Sequence, residues 1–330
     1  MNAFNEAIAP DIAHAMRLGH PVVALESTLI AHGLPWPSNL ETARRSEQAV
    51  RDAGAVPATI AVLDGRVRIG LSDTELTRLA QAGDVLKAGR RDLGDVLKAG
   101  RRDLGPVLAR GQSAATTVSA TLRIARSAGI GVFATGGLGG VHRKAAESFD
   151  VSTDLDELAR ADGALVVCSG AKTVLDLPAT LESLETRGVP ILGYRTDELP
   201  GFTSRTTGLP LEHRVESPAE AARVVATHRR LALPCAVVLA QQVPEPDAPD
   251  EARMNAALED ALAEADRLGI RGKRLTPFLL GRIHEATDGM SQSANSALIV
   301  ANASLAAQIA VELARIDPAG PRPGGGVGAG

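Results

Sequence analysis

Two hydrophobic patterns alternate along most of the chain: short apolar runs, and longer stretches in which apolar residues recur at helical spacing. Segments 21–25, 58–63, 130–134, 164–168, 189–192 and 235–240 are short, aliphatic and bounded by turn residues, which predicts buried strands. Between them, 6–18, 38–53, 72–82, 155–160 and 217–228 carry the helical pattern, and 113–128 supplies a polar SAATTVS entry and then a helix. Ser38 to Glu41 and Ser72 to Glu75 each have capping-box spacing, Gly129 closes the helix before it, and Pro218 suits a first helical position. Asp64-Gly65, between 58–63 and 66–69, is a two-residue hairpin signal, so at least one strand pair is antiparallel. Ser169-Gly170-Ala171-Lys172 leaves a strand toward another helix, which puts Lys172 at a strand-to-helix turn. Helices expected at 252–268, 277–287 and 291–313 make the last third mostly helical. The expected fold is α/β, a mixed central β-sheet flanked by helices (α/β/α), in a single domain of residues 1–316. Residues 317–330, rich in Pro and Gly, bury too little to order themselves and read as a disordered tail.

Composition narrows the function. Aromatic residues are 2% of a chain that is 45% hydrophobic, so the core is built from Ala, Val, Leu and Ile, and base stacking on aromatics is not expected. A net charge of −4 supplies no basic surface for nucleic acid, and Cys168 and Cys235 lie in apolar runs that imply no disulfide framework. The N-terminus lacks a signal-peptide pattern, and the long apolar run 297–314 is interrupted by Asn302, Ser304, Gln308 and Glu312, so a soluble cytoplasmic protein is expected. Only five of the 35 basic residues are lysines: Lys87, Lys98, Lys144, Lys172 and Lys273. Arginine stays protonated, whereas a desolvated lysine can lose its proton and attack a carbonyl, so each lysine is worth inspecting as a nucleophile.

Candidate chemistry concentrates in GVFATGGLGGVHRKAAESFDVSTDLDEL, residues 131–158. Gly136 and Gly137, in the glycine-rich turn after a strand, let backbone N–H groups approach an anion, and His142 and Arg143 follow at once. Asp150, Asp154 and Asp156 are spaced to share a cation, although the same residues serve equally as helix caps. Glu26 ends another predicted strand, where open α/β sheets place their sites. An anion-binding turn, a strand-end acid, a strand-end lysine and clustered aspartates together suit sugar-phosphate chemistry. One oddity lies beside them: GDVLKAGRRDL at 83–93 recurs letter for letter at 94–104, a tandem duplication rather than a repeat fold.

ALESTLIAHGLPWP at 24–37, GAVPATIAVLDG at 54–65, ATTVSAT at 115–121, FATGGLGGVHR at 133–143, FDVSTDLDEL at 149–158 and GAKTVLDLP at 170–178 resemble the pseudouridine-5′-phosphate glycosidases. TPFLL at 276–280 and SANSALIVANA at 293–303 extend the resemblance to about residue 313. It implies cleavage of the C–C glycosidic bond of pseudouridine 5′-phosphate to uracil and ribose 5-phosphate by a homotrimer using Mn²⁺. It further implies Glu26 as proton donor, Lys172 as the nucleophile that forms a ring-opened sugar adduct, and Asp150 as metal ligand. Lys98, Val118, Ser152, Thr153 and Asp154 are the implied substrate contacts, with Asn295 a further candidate near the base. The duplication offers Lys87 and Lys98 in identical contexts for one position. Lys98 is the expected occupant, because the second copy keeps its spacing to the downstream ATTV segment. Two other readings use the same residues: a different Schiff-base lyase on a sugar phosphate, and a non-catalytic metabolite-binding relative inactivated by the duplication.

Overall fold

The computed structural model describes residues 7–82, 96–270 and 275–317. The first repeat copy with Lys87, and the tail from residue 318 onward, lie outside the described residues. The strands are β1 (Val22–Leu25), β2 (Val56–Leu63), β3 (Arg66–Ile69), β4 (Leu97–Ala99), β5 (Ala114–Thr116), β6 (Val132–Ala134), β7 (Leu165–Cys168), β8 (Ile191–Tyr194), β9 (His213–Val215) and β10 (Val237–Gln241). They form one sheet in the order β4-β5-β2-β1-β6-β7-β10-β8-β9, with β3 also on β2. Pairing is parallel except where β2 meets β3 and β5. β2 has the length to serve both patterns. Its first half, from Val56 to Thr59, pairs with β1, and its second half takes the antiparallel partners.

The helices are α1 (Pro10–Arg17), α2 (Ser38–Asp52), α3 (Asp73–Ala82), α4 (Leu104–Ala109), α5 (Val118–Ala128), α6 (Ala145–Ser148), α7 (Thr153–Leu158), α8 (Leu177–Thr186), α9 (Pro218–Arg230), α10 (Glu251–Arg267), α11 (Leu275–Ala286) and α12 (Met290–Ile316). They cover both faces of the sheet, so the central strands are apolar throughout rather than alternating. On β7, Val166 and Cys168 share a core with Leu122, Ile124 and Leu155 from α5 and α7. Leu165 and Val167, pointing the other way, join Val225 of α9 and Ala306 and Ile309 of α12. Helix α12 is apolar and long enough to cross a membrane by length and composition. It is nonetheless a core helix, burying Leu305, Ile309 and Leu313 between the sheet, α2 and α9.

Several local expectations needed correction. Ser72 and Glu75 form the reciprocal bonds of a capping box, but Ser38 and Glu41 do not, because α2 already starts at Ser38. Asn39 is drawn inward there instead, donating to the carbonyls of Ile30 and Ala80. β4, β5 and β9 have three residues each, too few to show a period of two. No helix follows Ser169-Gly170-Ala171-Lys172 directly; α8 starts at Leu177, capped by Asp176, so Lys172 sits in a loop. That loop is held by Ala171, Val174 and Leu175, which pack against Ala257, Leu258 and Ala261 of α10.

Candidate active site

Glu26 leaves the carboxyl end of β1, Thr135 that of β6 and Ser169 that of β7, and these three strands are neighbours in the sheet or next to neighbours. Side chains at adjacent strand ends converge, which is why sites form there. Glu26 is 5% exposed, and the Thr135 hydroxyl donates a hydrogen bond to its Oε1. Burial pushes the Glu26 carboxyl above its ordinary pKa, with the nearby Asp154 carboxylate adding to the rise. Lys172, the Thr135 hydrogen bond and Lys98 pull against it without cancelling it. A carboxyl so placed holds its proton to higher pH than an exposed one and can act as an acid.

Glu26 opens onto a pocket of about 180 Å³, whose wall also carries Lys98, Val118, Asp150, Ser152, Thr153, Asp154 and Lys172. Thr28, Arg102, Gly139 and His142 line it as well. The pocket draws on segments far apart in sequence, and backbone pairing brings them together. Val141 bridges Val151, the His142 N–H donates to the Asp150 carbonyl (3.0 Å), and the Ser152 N–H donates to the Gly140 carbonyl (2.9 Å), folding 150–152 back onto the glycine-rich turn. His142 in turn bridges Leu175, and the Lys172 N–H reaches the Leu138 carbonyl (3.2 Å), which brings in the lysine loop. Lys98 arrives on β4, whose residues Leu97 to Ala99 pair with Ala114 to Thr116 of β5.

Asp154 locks two walls together. Its Oδ1 accepts from the Ser119 N–H at the start of α5 (2.9 Å) and its Oδ2 from the Gly139 N–H (3.0 Å). Gly139 is required for this approach, since a Cβ there would fall 2.7 Å from Asp154 Oδ2 and 2.4 Å from Ser152 Oγ. Ser152 caps α7 by accepting from the Asp154 N–H, and Thr153 exchanges a hydroxyl bond with Ser119 (3.1 Å). His142 lies between charges. Burial lowers its pKa, Asp150 raises it, and Lys98 and Lys172 lower it further.

Gly136, Gly137, Asn295, Arg143 and Asp156 fall outside the pocket lining, Arg143 pairing with Glu259. Gly136 and Gly137 make room for packing, the space of their missing side chains being taken by Ile299 and Leu298 and by Phe202 respectively. Asn295 is buried on α12 and does not line the pocket. The three aspartates do not share a cation either, because Asp154 is spent on backbone N–H groups while Asp156 pairs with Arg187 at 3.0 Å. Among the described residues no three His, Cys, Asp or Glu side chains converge on a metal position. Asp150 also lines the pocket, while Asp103 and Asp154 there accept from backbone N–H groups and Glu26 from the Thr135 hydroxyl; one carboxylate plus water and substrate oxygens is an ordinary donor set for a hydrated divalent ion. Thr135 and Asn302 escaped the sequence reading, though a polar Asn302 inside the apolar run 297–314 was a visible signal.

Residues 11–312 match the family described as Indigoidine synthase A like protein. The pseudouridine-5′-phosphate glycosidase of Caldanaerobacter subterraneus subsp. tengcongensis is 50% identical over 316 residues, covering 96% of this chain and 99% of that protein. The enzyme of the same name from Hahella chejuensis is 48% identical over 311 residues, covering 94% and 98%. Among solved structures, the prealnumycin C-glycosynthase AlnA in complex with ribulose 5-phosphate superposes with a TM-score of 0.82 at 39% identity, covering 94% of this chain and 97% of that one. An indigoidine synthase A-like protein from Thermotoga maritima superposes with a TM-score of 0.80 at 37% identity, covering 89% and 94%. Sharing half its residues with such a relative over nearly its whole length, the chain belongs to the pseudouridine-5′-phosphate glycosidase family.

Proposed function

We propose that this chain cleaves the C–C glycosidic bond of pseudouridine 5′-phosphate, releasing uracil and ribose 5-phosphate. The observation that carries the reading is one pocket holding a buried acid, Glu26, together with Lys172 and Lys98. Breaking a bond from carbon to carbon is the chemical difficulty, because uracil has no heteroatom to take up the electrons at C1′ directly. Lys172 provides the way round. Its neutral amine bonds to C1′ as the C1′–O4′ bond breaks, and the proton that the attacking nitrogen sheds passes to O4′, leaving an open-chain adduct. Glu26 then gives its proton to the ring carbon of uracil. As the C1′–C bond cleaves, the lysine nitrogen lone pair forms the C=N bond of an imine, and water hydrolyses the imine to ribose 5-phosphate and free lysine.

Lys98, Arg102 and the N–H of Val118 at the start of α5 suit the phosphate and sugar oxygens, since a helix start carries unpaired donors. Asp150 would hold Mn²⁺, which would supply positive charge to substrate oxygens when bound. A homotrimer belongs to the same reading and is checked by light scattering. The deciding assay is uracil release from pseudouridine 5′-phosphate with and without Mn²⁺, together with borohydride trapping during turnover. Sugar mass on Lys172 is the expected result; release without trapping there, or trapping on another lysine, removes Lys172 from the role. Asp150→Ala is expected to abolish the Mn²⁺ response, and a retained response moves the ion elsewhere.

A further inference from the structure

Behind the pocket, out of substrate reach, lies a buried polar chain that ends on the acid. Asn302 is wholly buried on α12 amid apolar neighbours, a costly place for an amide unless each of its groups is paired. All are. Its Nδ2 donates to the Thr135 carbonyl (2.8 Å) and to Ser169 Oγ (3.2 Å), while its Oδ1 accepts from Gln241 Nε2 (2.7 Å) and from Ser169 Oγ (3.4 Å). Thr135, fixed at its carbonyl by Asn302 and at its N–H by the Val167 carbonyl (3.0 Å), then points its hydroxyl at Glu26 Oε1. The chain thus links the carboxyl ends of β10, β7, β6 and β1 through one side chain of α12.

Resting on the activity proposed above, we infer that Thr135, held by Asn302, is the positioning residue that selects which oxygen of Glu26 delivers the proton. A neutral carboxyl accepts best at its carbonyl oxygen, so a hydroxyl donating to Oε1 leaves the acidic proton on Oε2. When that proton leaves for carbon, Glu26 becomes a carboxylate, and the Thr135 bond becomes charge-assisted and stronger. It therefore favours the transition state over bound substrate. The charged groups facing Glu26 are Lys172, Lys98 and Asp154, and none of them is altered by a change at Thr135.

Thr135→Val keeps the shape and removes the hydroxyl. Its kcat for uracil release is expected to fall about 10- to 100-fold, the scale of one hydrogen bond to a charged group, with KM changed by less than about threefold. Because the lost bond favoured the ionised form, the Glu26 carboxyl titrates higher and the high-pH limb of kcat/KM moves to higher pH. Thr135→Ser, which restores a hydroxyl, is expected to return both towards wild type. Asn302→Ala should lower kcat in the same sense, and adding it to Thr135→Val should cost little more, since Asn302 acts through Thr135. An unshifted pH limb with normal kcat in Thr135→Val overturns the inference, and so does a Thr135→Ser enzyme as impaired as Thr135→Val. Wild-type enzyme in the same assay separates the two levels: if it releases no uracil, the proposed activity fails. Titration of ¹³C-labelled Glu26 still tests the Thr135 bond in that case, an unchanged value in Thr135→Val overturning it.

Discussion

At the scale of single residues, Glu26 pits function against stability. A carboxyl whose folded pKa lies above its unfolded value leaves the folded state binding more protons than the unfolded one. Stability is then undiminished below the unfolded value of about 4.3 and declines as pH rises towards the raised folded value. Glu26→Gln, neutral at every pH, is expected to melt higher than wild type at neutral and alkaline pH, with the difference shrinking as pH falls to about 4. Thermal melts across that range decide it; equal melting at all pH values would mean that the burial penalty is met elsewhere. The same variant should lose at least ~100-fold in kcat with a far smaller change in KM, the signature of a lost general acid rather than a lost contact. Much of this was legible in residue types, because an acid at the end of an apolar run is conspicuous. Its partner was not: Thr135 is 109 positions away, and they meet only because β1 lies beside β6.

Among elements, the join between α5, α7 and the glycine-rich turn decides the shape of the pocket, and Asp154 makes it. Asp154→Ala would leave the Ser119 and Gly139 N–H groups without their acceptor, at a cost of about 1–3 kcal/mol by the usual penalty for buried unpaired donors. Asp154→Asn keeps one acceptor oxygen and should fall between. Chemical denaturation orders the three proteins, and an Asp154→Ala protein as stable as wild type would show that water replaces the carboxylate. Local chemistry foretold the hairpin at Asp64-Gly65, the Ser72 cap and the start of α9 at Pro218, since each rests on neighbours in sequence. It misplaced Ser38, where Asn39 is claimed by Ile30 and Ala80 from other elements. Gly136 and Gly137 suggested an anion site for a sound reason, yet the space left by their missing side chains is taken by Leu298 and Ile299 of α12 and by Phe202 instead.

For the whole molecule, the duplication asks whether eleven extra residues disturb the site, and the fold around the second copy says how they are tolerated. Leu97 to Ala99 pair with β5, the Thr117 N–H donates to the Ala99 carbonyl (3.0 Å), and Arg101 forms an ion pair with the buried Glu157 of α7 at 3.0 Å. These bonds tie Lys98 to the pocket from the downstream side. Extra length upstream adds only a logarithmic closure cost, a fraction of a kcal/mol for such an insertion, or about 0.6 kcal/mol per doubling of a loop. Removing 83–93 or 94–104 yields the same amino-acid sequence, so a single deletion variant rebuilds an unambiguous site with one lysine. That variant is expected to match the full chain in kcat and KM for uracil release. In the full chain, Lys98→Ala should raise KM strongly while Lys87→Ala changes it little, since a lysine serving substrate oxygens acts on affinity. A mild Lys98→Ala effect, joined to a severe one when both lysines are replaced, would mean that the identical copies exchange register. A deletion variant with more than about tenfold lower kcat/KM, a loss of about 1.4 kcal/mol in transition-state binding, would instead make the added copy part of the working enzyme.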